Sequence, residues 1–290
     1  MSLISTTLLI INLLCQQTDN INVQILDKEF GKPVPYATIK ALDGSFGIAT
    51  SKNGNAAIIA DSLLLGKQFV ISSVGYFTDT IRILPLLKSN TAIIHLTSKP
   101  YEIPEFVVKG NRKQEELMVG IKKSATIGWA SKHGNVSQTA LYFPNENHVG
   151  LIEEVSYFIR GNGFPEAPFR VRIYSSHTDS VFPDNDILPI SLIVSANKKG
   201  WFSVDLREFQ IPIPKNGFFV ALEWIMDSDD YFYNEGLSYG ATLGLTKKHP
   251  YHHSWDYRLW NKIGWYNSPP LPPELSTILN PMIRAKLLLD

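Results

Sequence analysis

The segment Tyr251-His-His-Ser-Trp-Asp-Tyr-Arg-Leu-Trp-Asn-Lys-Ile-Gly-Trp-Tyr266 holds three of the chain's six tryptophans. Aromatic rings present flat apolar faces to the C–H surface of a sugar, and neighbouring Asp and Arg side chains bond its hydroxyls. On that chemistry Trp255, Tyr257, Trp260 and Trp265, with Asp256 and Arg258, form a candidate ligand platform for a glycan. The same rings would serve a protein partner, or pack beneath a long connection as a satellite core. His249, His252 and His253 with Asp256 supply enough imidazole and carboxylate for a divalent metal ion, the set a metal-dependent hydrolase would use. Asp227, Asp229 and Asp230 supply the oxygens of a calcium loop. Neither acidic nor histidine set has a diagnostic spacing, and polar loops of a β-sandwich commonly carry such residues.

Two catalytic patterns fail on inspection. Gly236-Leu-Ser-Tyr-Gly240 matches a nucleophile elbow, but an elbow opens a helix, and Ala241-Thr-Leu-Gly-Leu-Thr246 alternates like a strand. That fold also needs its histidine last in the chain, and no histidine follows His253. A zinc carboxypeptidase needs Glu three residues after a His; the residues at that offset from the seven histidines are Ser98, Val136, Leu151, Ser180, His252, Trp255 and Asp256. Cys15 is the single cysteine, so the chain past it has no thiol nucleophile, disulfide framework or Cys-ligated zinc. The expectation is a protein without a catalytic site.

The elements that must position these residues read as strands. Gly and Pro gather at turn-like dipeptides between short runs of Val, Ile, Thr, Phe and Tyr, and helical periodicity is scarce. Lys+Arg and Asp+Glu both number 27, so no net field draws the chain to nucleic acid or an anionic membrane surface. From Ile21 the strands Asn22–Leu26, Tyr36–Lys40, Ala56–Ile59, Phe69–Ser72, Asp79–Ile83 and Ala92–Leu96 follow one another, with Asp43-Gly44 and Asn53-Gly54 expected as tight hairpin turns. Six or seven strands in so short a stretch predict a Greek-key sandwich over residues 18–98.

Three stretches carry a resemblance: Gly31-Lys-Pro-Val-Pro-Tyr-Ala-Thr-Ile39, Gly47-Ile-Ala-Thr50 with Asn53-Gly54, and Phe69-Val-Ile-Ser-Ser-Val-Gly-Tyr76. They resemble the carboxypeptidase regulatory-like, or transthyretin-like, domain, over about a quarter of the chain. Ala56 departs from the large apolar residue usual there. The resemblance implies a seven-stranded, noncatalytic module that accompanies enzymes or outer-membrane receptors. Tyr101–Gly110 also looks like the segment that follows this module in TonB-dependent receptors, yet the rest of the chain lacks the alternating ten-residue strands of a transmembrane barrel.

Residues 99–122 read as a linker, and 123–290 as a larger, jelly-roll-like β-sandwich; the fold class is all-β. Phe169, Val171 and Ile173 are expected in its core, with Arg170 and Arg172 facing out. Pro269-Pro-Leu-Pro-Pro273 reads as a stiff polyproline return to the last strand. Residues 1–17 read as a signal peptide, too short to span a bilayer, although no Lys or Arg precedes the apolar run. These features together predict an exported, noncatalytic cell-envelope protein without cofactor, associated with the periplasm, outer membrane or cell surface, binding a glycan or an envelope protein and not integral to a membrane. An envelope metal hydrolase and a purely structural adhesion component are the alternatives.

Overall fold

A computed structural model describes residues 20–59, 66–88, 90–100, 115–122, 127–132, 137–247, 254–258, 264–267 and 279–290. The expected leader with Cys15, the receptor-like junction, the three histidines, Trp260 and the polyproline run lie outside these residues. What is described is all-β: 24 strands in four sheets, interrupted by three short 3-10 turns. Among the described residues no helix is long and apolar enough to cross a membrane.

The first sandwich contains β1 (Asn20–Asp27), β2 (Thr38–Ala41), β3 (Gly47–Ala49), β4 (Asn55–Ile59), β5 (Phe69–Ser72), β6 (Asp79–Ile81), β7 (Leu87–Lys88) and β8 (Thr91–Leu96). Its sheets run β4-β1-β8-β7 and β3-β2-β5-β6, with β1 and β8 parallel and the other pairs antiparallel. The two-residue β7 makes eight strands where seven were expected. Alternation sorts each strand into a core side and an outer side. Val23, Ile25, Ile39, Phe69, Ile71 and Ile94 are buried between the sheets, while Thr38, Lys40, Val70 and Ser72 share the outer face of the second sheet.

Asp43-Gly44 closes a hairpin, since β2 pairs with β3 across it. Asn53-Gly54 does not. It joins β3 in one sheet to β4 in the other, so it is a corner between layers rather than a hairpin turn. Gly54 has φ +72°, and a Cβ there would stand 2.6 Å from the Ile25 carbonyl oxygen. Gly54→Ala is therefore expected to lower stability by about 1–3 kcal/mol from backbone strain, with the close contact adding to it. A shift of the unfolding midpoint in urea measures it, and an unchanged midpoint refutes the assignment.

The second sandwich is built from β9 (Glu115–Gly120), β10 (Ile127–Lys132), β11 (Ser137–Phe143), β12 (Gly150–Arg160), β13 (Phe169–Ser176), β14 (Pro183–Asp186), β15 (Ile193–Val194) and β16 (Gly200–Asp205). It continues with β17 (Ile211–Pro212), β18 (Phe218–Trp224), β19 (Phe232–Tyr233), β20 (Ser238–Thr246), β21 (Ser254–Arg258), β22 (Gly264–Asn267), β23 (Asn280–Pro281) and β24 (Ile283–Leu289). One sheet follows β10-β20-β12-β24-β9 and the other β14-β13-β18-β11-β21-β22. From β11 through β13 the chain crosses from sheet to sheet at each strand, and it crosses again from β18 to the β19–β20 pair and back to β21. The expected linker 99–122 contains β9, which pairs with β24 from Glu115 to Gly120, because Leu117 and Val119 pack against the core of this sandwich. The second sandwich thus begins inside that stretch.

Its interior takes Phe169, Val171 and Ile173 from β13 and Val220 and Leu222 from β18, all fully buried. The opposite side of the same strands carries Arg170, Arg172 and Tyr174, beside Glu223, Ala221 and Phe219. This outer face is what the first sandwich covers.

Candidate functional site: the cleft between the sandwiches

Among the described residues the two sandwiches meet at Tyr36 and come close at Gly75. Tyr36 has φ 52°, a region an ordinary side chain adopts only when its surroundings hold it there. Its hydroxyl donates to Asp227 Oδ1 at 2.5 Å, and its carbonyl accepts from Arg170 Nη2 at 3.1 Å. The Arg170 guanidinium also lies 5.9 Å from the centre of the Tyr36 ring. Burial first, then the bond to Asp227, raise the Tyr36 hydroxyl well above its ordinary pKa. At Gly75 the sandwiches are near each other, since an added Cβ would stand 3.4 Å from the Pro189 carbonyl oxygen.

Beside these contacts is a cleft of about 880 Å³ with walls from both sandwiches. Its roof is the outer face of the β2–β5 sheet, with Thr38, Lys40 and Ser72, continued by the loop Ser73–Tyr76 and by Lys99. Its floor is the outer face of the second sandwich's β13–β18–β11–β21–β22 run, with Arg172, Tyr174, Glu223, Gln138, Tyr257 and Trp265.

The floor is held by a buried ionic network. Glu223 is 2% exposed, yet it accepts from Arg170 Nη1 at 3.2 Å and from Arg172 Nε at 2.5 Å. Arg172 Nη1 reaches Asp186 Oδ2 at 2.6 Å. Burial disfavours the Glu223 charge, but Arg170 and Arg172 outweigh it and hold the carboxyl below its ordinary value. Asp186 goes the other way, because burial outweighs its single arginine and raises it. The Tyr174 hydroxyl donates to Gln138 Oε1 at 2.7 Å, and burial pushes that tyrosine far up.

Around this network lies an aromatic layer. Ala140 and Ala221 are small, and the rings of Tyr174, Trp255 and Trp265 lie in the same cluster with them. Trp265 meets Tyr174 edge-on at 5.2 Å and Tyr257 at 5.3 Å. Trp255 meets Phe182 at 5.4 Å.

The segment expected to act as one platform is therefore split by strand alternation. Trp255, Tyr257 and Trp265 share one face, by the register Ala140↔Trp255, Gln138↔Tyr257 and Tyr257↔Trp265. Of these, Tyr257 and Trp265 line the cleft and are half-buried, whereas Trp255 packs on Phe182 away from it. Asp256 and Arg258 project from the opposite face: Asp256 accepts from the Thr139 hydroxyl, and the Arg258 guanidinium stands 5.0 Å over the Tyr266 ring. Trp260 lies outside the described residues.

Two of the three aspartates expected as a calcium loop have side-chain hydrogen bonds. Asp227 is bonded by Tyr36, Asp230 accepts from the Ser228 hydroxyl, and Asp229 begins a 3-10 turn. Among the described residues no group of three His, Cys, Asp or Glu side chains is placed to hold a metal ion. His249, His252 and His253 fall outside those residues, leaving Asp256 as the described member of that set. Ser238 opens β20, and the backbone past it continues as strand to Thr246.

The residues sequence reasoning missed are Arg170, Arg172, Asp186, Glu223, Gln138 and the whole roof. Alternation in Phe169–Tyr174 marked the arginines as outward-facing, which they are relative to their own sandwich. Only a contact spanning 134 positions, from Tyr36 to Arg170, turns that face inward.

Neither protein families nor curated proteins gave a match to the sequence. Among solved structures, the clostridial cysteine protease Cwp84 after propeptide cleavage is similar with a TM-score of 0.41 and 13% identity, over 88% of this chain and 65% of that one. The cysteine protease and lectin-like domains of Cwp84, a surface layer associated protein of Clostridium difficile, give a TM-score of 0.40 and 13% identity over 88% and 59%. A structure of infectious bursal disease virus, Gx strain, gives 0.25 and 9% over 93% and 60%. The chain thus spans 59–65% of the length of these solved chains.

Proposed function

We propose that the chain is a noncatalytic binding protein of the cell envelope and that its ligand, a glycan, occupies the cleft between the sandwiches. The observation that carries this is the floor: half-buried Tyr257 and Trp265 stand beside Gln138, Arg172 and Asp186 within one cavity. Rings for sugar C–H faces and fixed polar groups for hydroxyls are what carbohydrate recognition needs. At about 880 Å³ the cleft lies near the top of the range of small-molecule sites, roughly 300–1,000 Å³, so an oligosaccharide fits it better than one sugar. The N-terminal sandwich, which resembles a regulatory-like module, then serves as the roof of the site.

A glycan array probed with the whole chain tests the proposal. Retention of at least one oligosaccharide is expected, and Trp265→Ala should weaken it about thirtyfold or more, the scale of an aromatic anchor at the centre of an interface. An array that retains nothing ends the proposal. So does a folded Trp265→Ala variant that binds as well as the parent.

A further inference from the structure

Neither Tyr36 nor Arg170 lines the cleft, yet each stands two residues before one of its walls. Tyr36 precedes Thr38 and Lys40, which β2 presents on the roof; Arg170 precedes Arg172 and Tyr174, which β13 presents on the floor. The two are bonded to each other, Arg170 Nη2 donating to the Tyr36 carbonyl at 3.1 Å. Among the described residues, the hydrogen bonds that cross between the sandwiches are this one and the bond of the Tyr36 hydroxyl to Asp227. On the floor the bonds run on from Arg170 to Glu223, from Glu223 to Arg172 and from Arg172 to Asp186, and these last three residues line the cleft. On the roof, Ala37 ties the approach to β2 down. Its amide donates to the Thr50 hydroxyl at 2.9 Å, and its carbonyl accepts from the Thr50 amide at 2.8 Å. The link from floor to roof is continuous, with one residue at its middle.

Resting on the glycan reading, we infer that Tyr36 is a positioning residue of the site: its two bonds fix the separation of roof from floor, and that separation sets the affinity. A saccharide lying on Trp265 and Tyr257 also meets Thr38, Lys40 and Ser72 only while the roof is held over it. The left-handed backbone of Tyr36, φ 52°, lets one residue aim its carbonyl at Arg170 and its hydroxyl at Asp227. That conformation is unfavourable for a tyrosine and persists because its surroundings hold it. An undocked chain offers the sugar one wall, so the apparent dissociation constant rises as the docked fraction falls.

Tyr36→Phe keeps the ring and the carbonyl and loses the hydroxyl; Asp227→Ala removes that hydroxyl's acceptor, whereas Asp227→Asn retains one. In the full chain carrying Cys15→Ser, nitroxides on Thr80→Cys and Asn185→Cys report the separation of the walls by dipolar spectroscopy. Both positions are exposed and outside the cleft lining. The parent is expected to give one narrow distance. Tyr36→Phe and Asp227→Ala should spread it toward longer values and raise the half-saturation concentration on the glycan array about tenfold, the scale of one lost hydrogen bond to a charged group. Asp227→Asn should stay close to the parent in both readouts, which a role for the Asp227 charge in stability alone would not produce. Unchanged distances in the two bond-breaking variants overturn the inference. So do longer distances with unchanged array binding, a result that leaves the glycan reading in place. An array on which the parent retains nothing removes that reading and this inference together.

Discussion

Replacing Arg170 with Ala is expected to destabilise the protein by about 3–5 kcal/mol, the cost of removing one partner from a buried ion pair. The side chain is fully buried and its guanidinium divides its bonds between Glu223 and the Tyr36 carbonyl. Its Nε has no partner among the described residues, so the group is enclosed by packing as much as by hydrogen bonds. Truncation leaves Glu223 dependent on Arg172 alone, opens a cavity and removes a bond between the sandwiches. Urea unfolding followed by tryptophan fluorescence measures the loss, and a change under about 1 kcal/mol would mean that water reaches this face and that the sandwiches are not docked as described. Arg170→Met, which fills the space without the charge, should recover part of the packing but not the bond to Tyr36.

The second large effect is a pH dependence carried by Glu223. Its carboxyl is held below the ordinary 4.5, so its contribution is complete above that value and is lost as pH falls through the folded-state value below it. Glu223→Gln should therefore cost about 3–5 kcal/mol near neutral pH, where Arg170 loses its carboxylate partner and Arg172 keeps only Asp186. The deficit relative to the parent should narrow steadily below pH 4.5, because the parent is then losing the same charge. Asp186 runs opposite: its raised value means that ionising it in place opposes folding as pH rises above its ordinary 3.8. Asp186→Asn should accordingly cost less than Glu223→Gln at neutral pH. Urea midpoints of the three proteins at about pH 7 and about pH 3 check both statements. A Glu223→Gln deficit that is the same at both values contradicts the first.

Strands with clean alternation were legible without coordinates. Phe69–Ser72 coincides with the expected range, and the core side of β13 was named residue by residue. Alternation reports which side of a sheet a residue takes, but not whether water or another layer covers that side. Arg170 and Arg172 show the difference: they face away from their own core, yet Arg170 is fully buried and Arg172 half-buried. Asn53-Gly54 shows another: the dipeptide announces a reversal and a positive φ, while the sheet each flank joins depends on pairing with β1 and β2. In the aromatic segment, proximity along the chain suggested one cluster. Ser254–Arg258 is a strand, and a period of two sends Asp256 and Arg258 away from Tyr257. The cleft had no signal at all, since its roof comes from residues 38–100 and its floor from residues 138–265 of a different sandwich.

The tie between the sandwiches at Tyr36 has a kinetic meaning. Clefts between domains commonly work by hinge closure, in which a ligand meets an open form and a slower step follows. The bonds of Tyr36 to Arg170 and Asp227 tie the two walls together at one point, so a wide opening there would have to break them. The ligand proposed above would then slide in along the slot rather than be enclosed by a closing hinge. Association should follow a single exponential whose rate grows linearly with ligand concentration, and the residence time should be set by contacts with the walls instead of by a door.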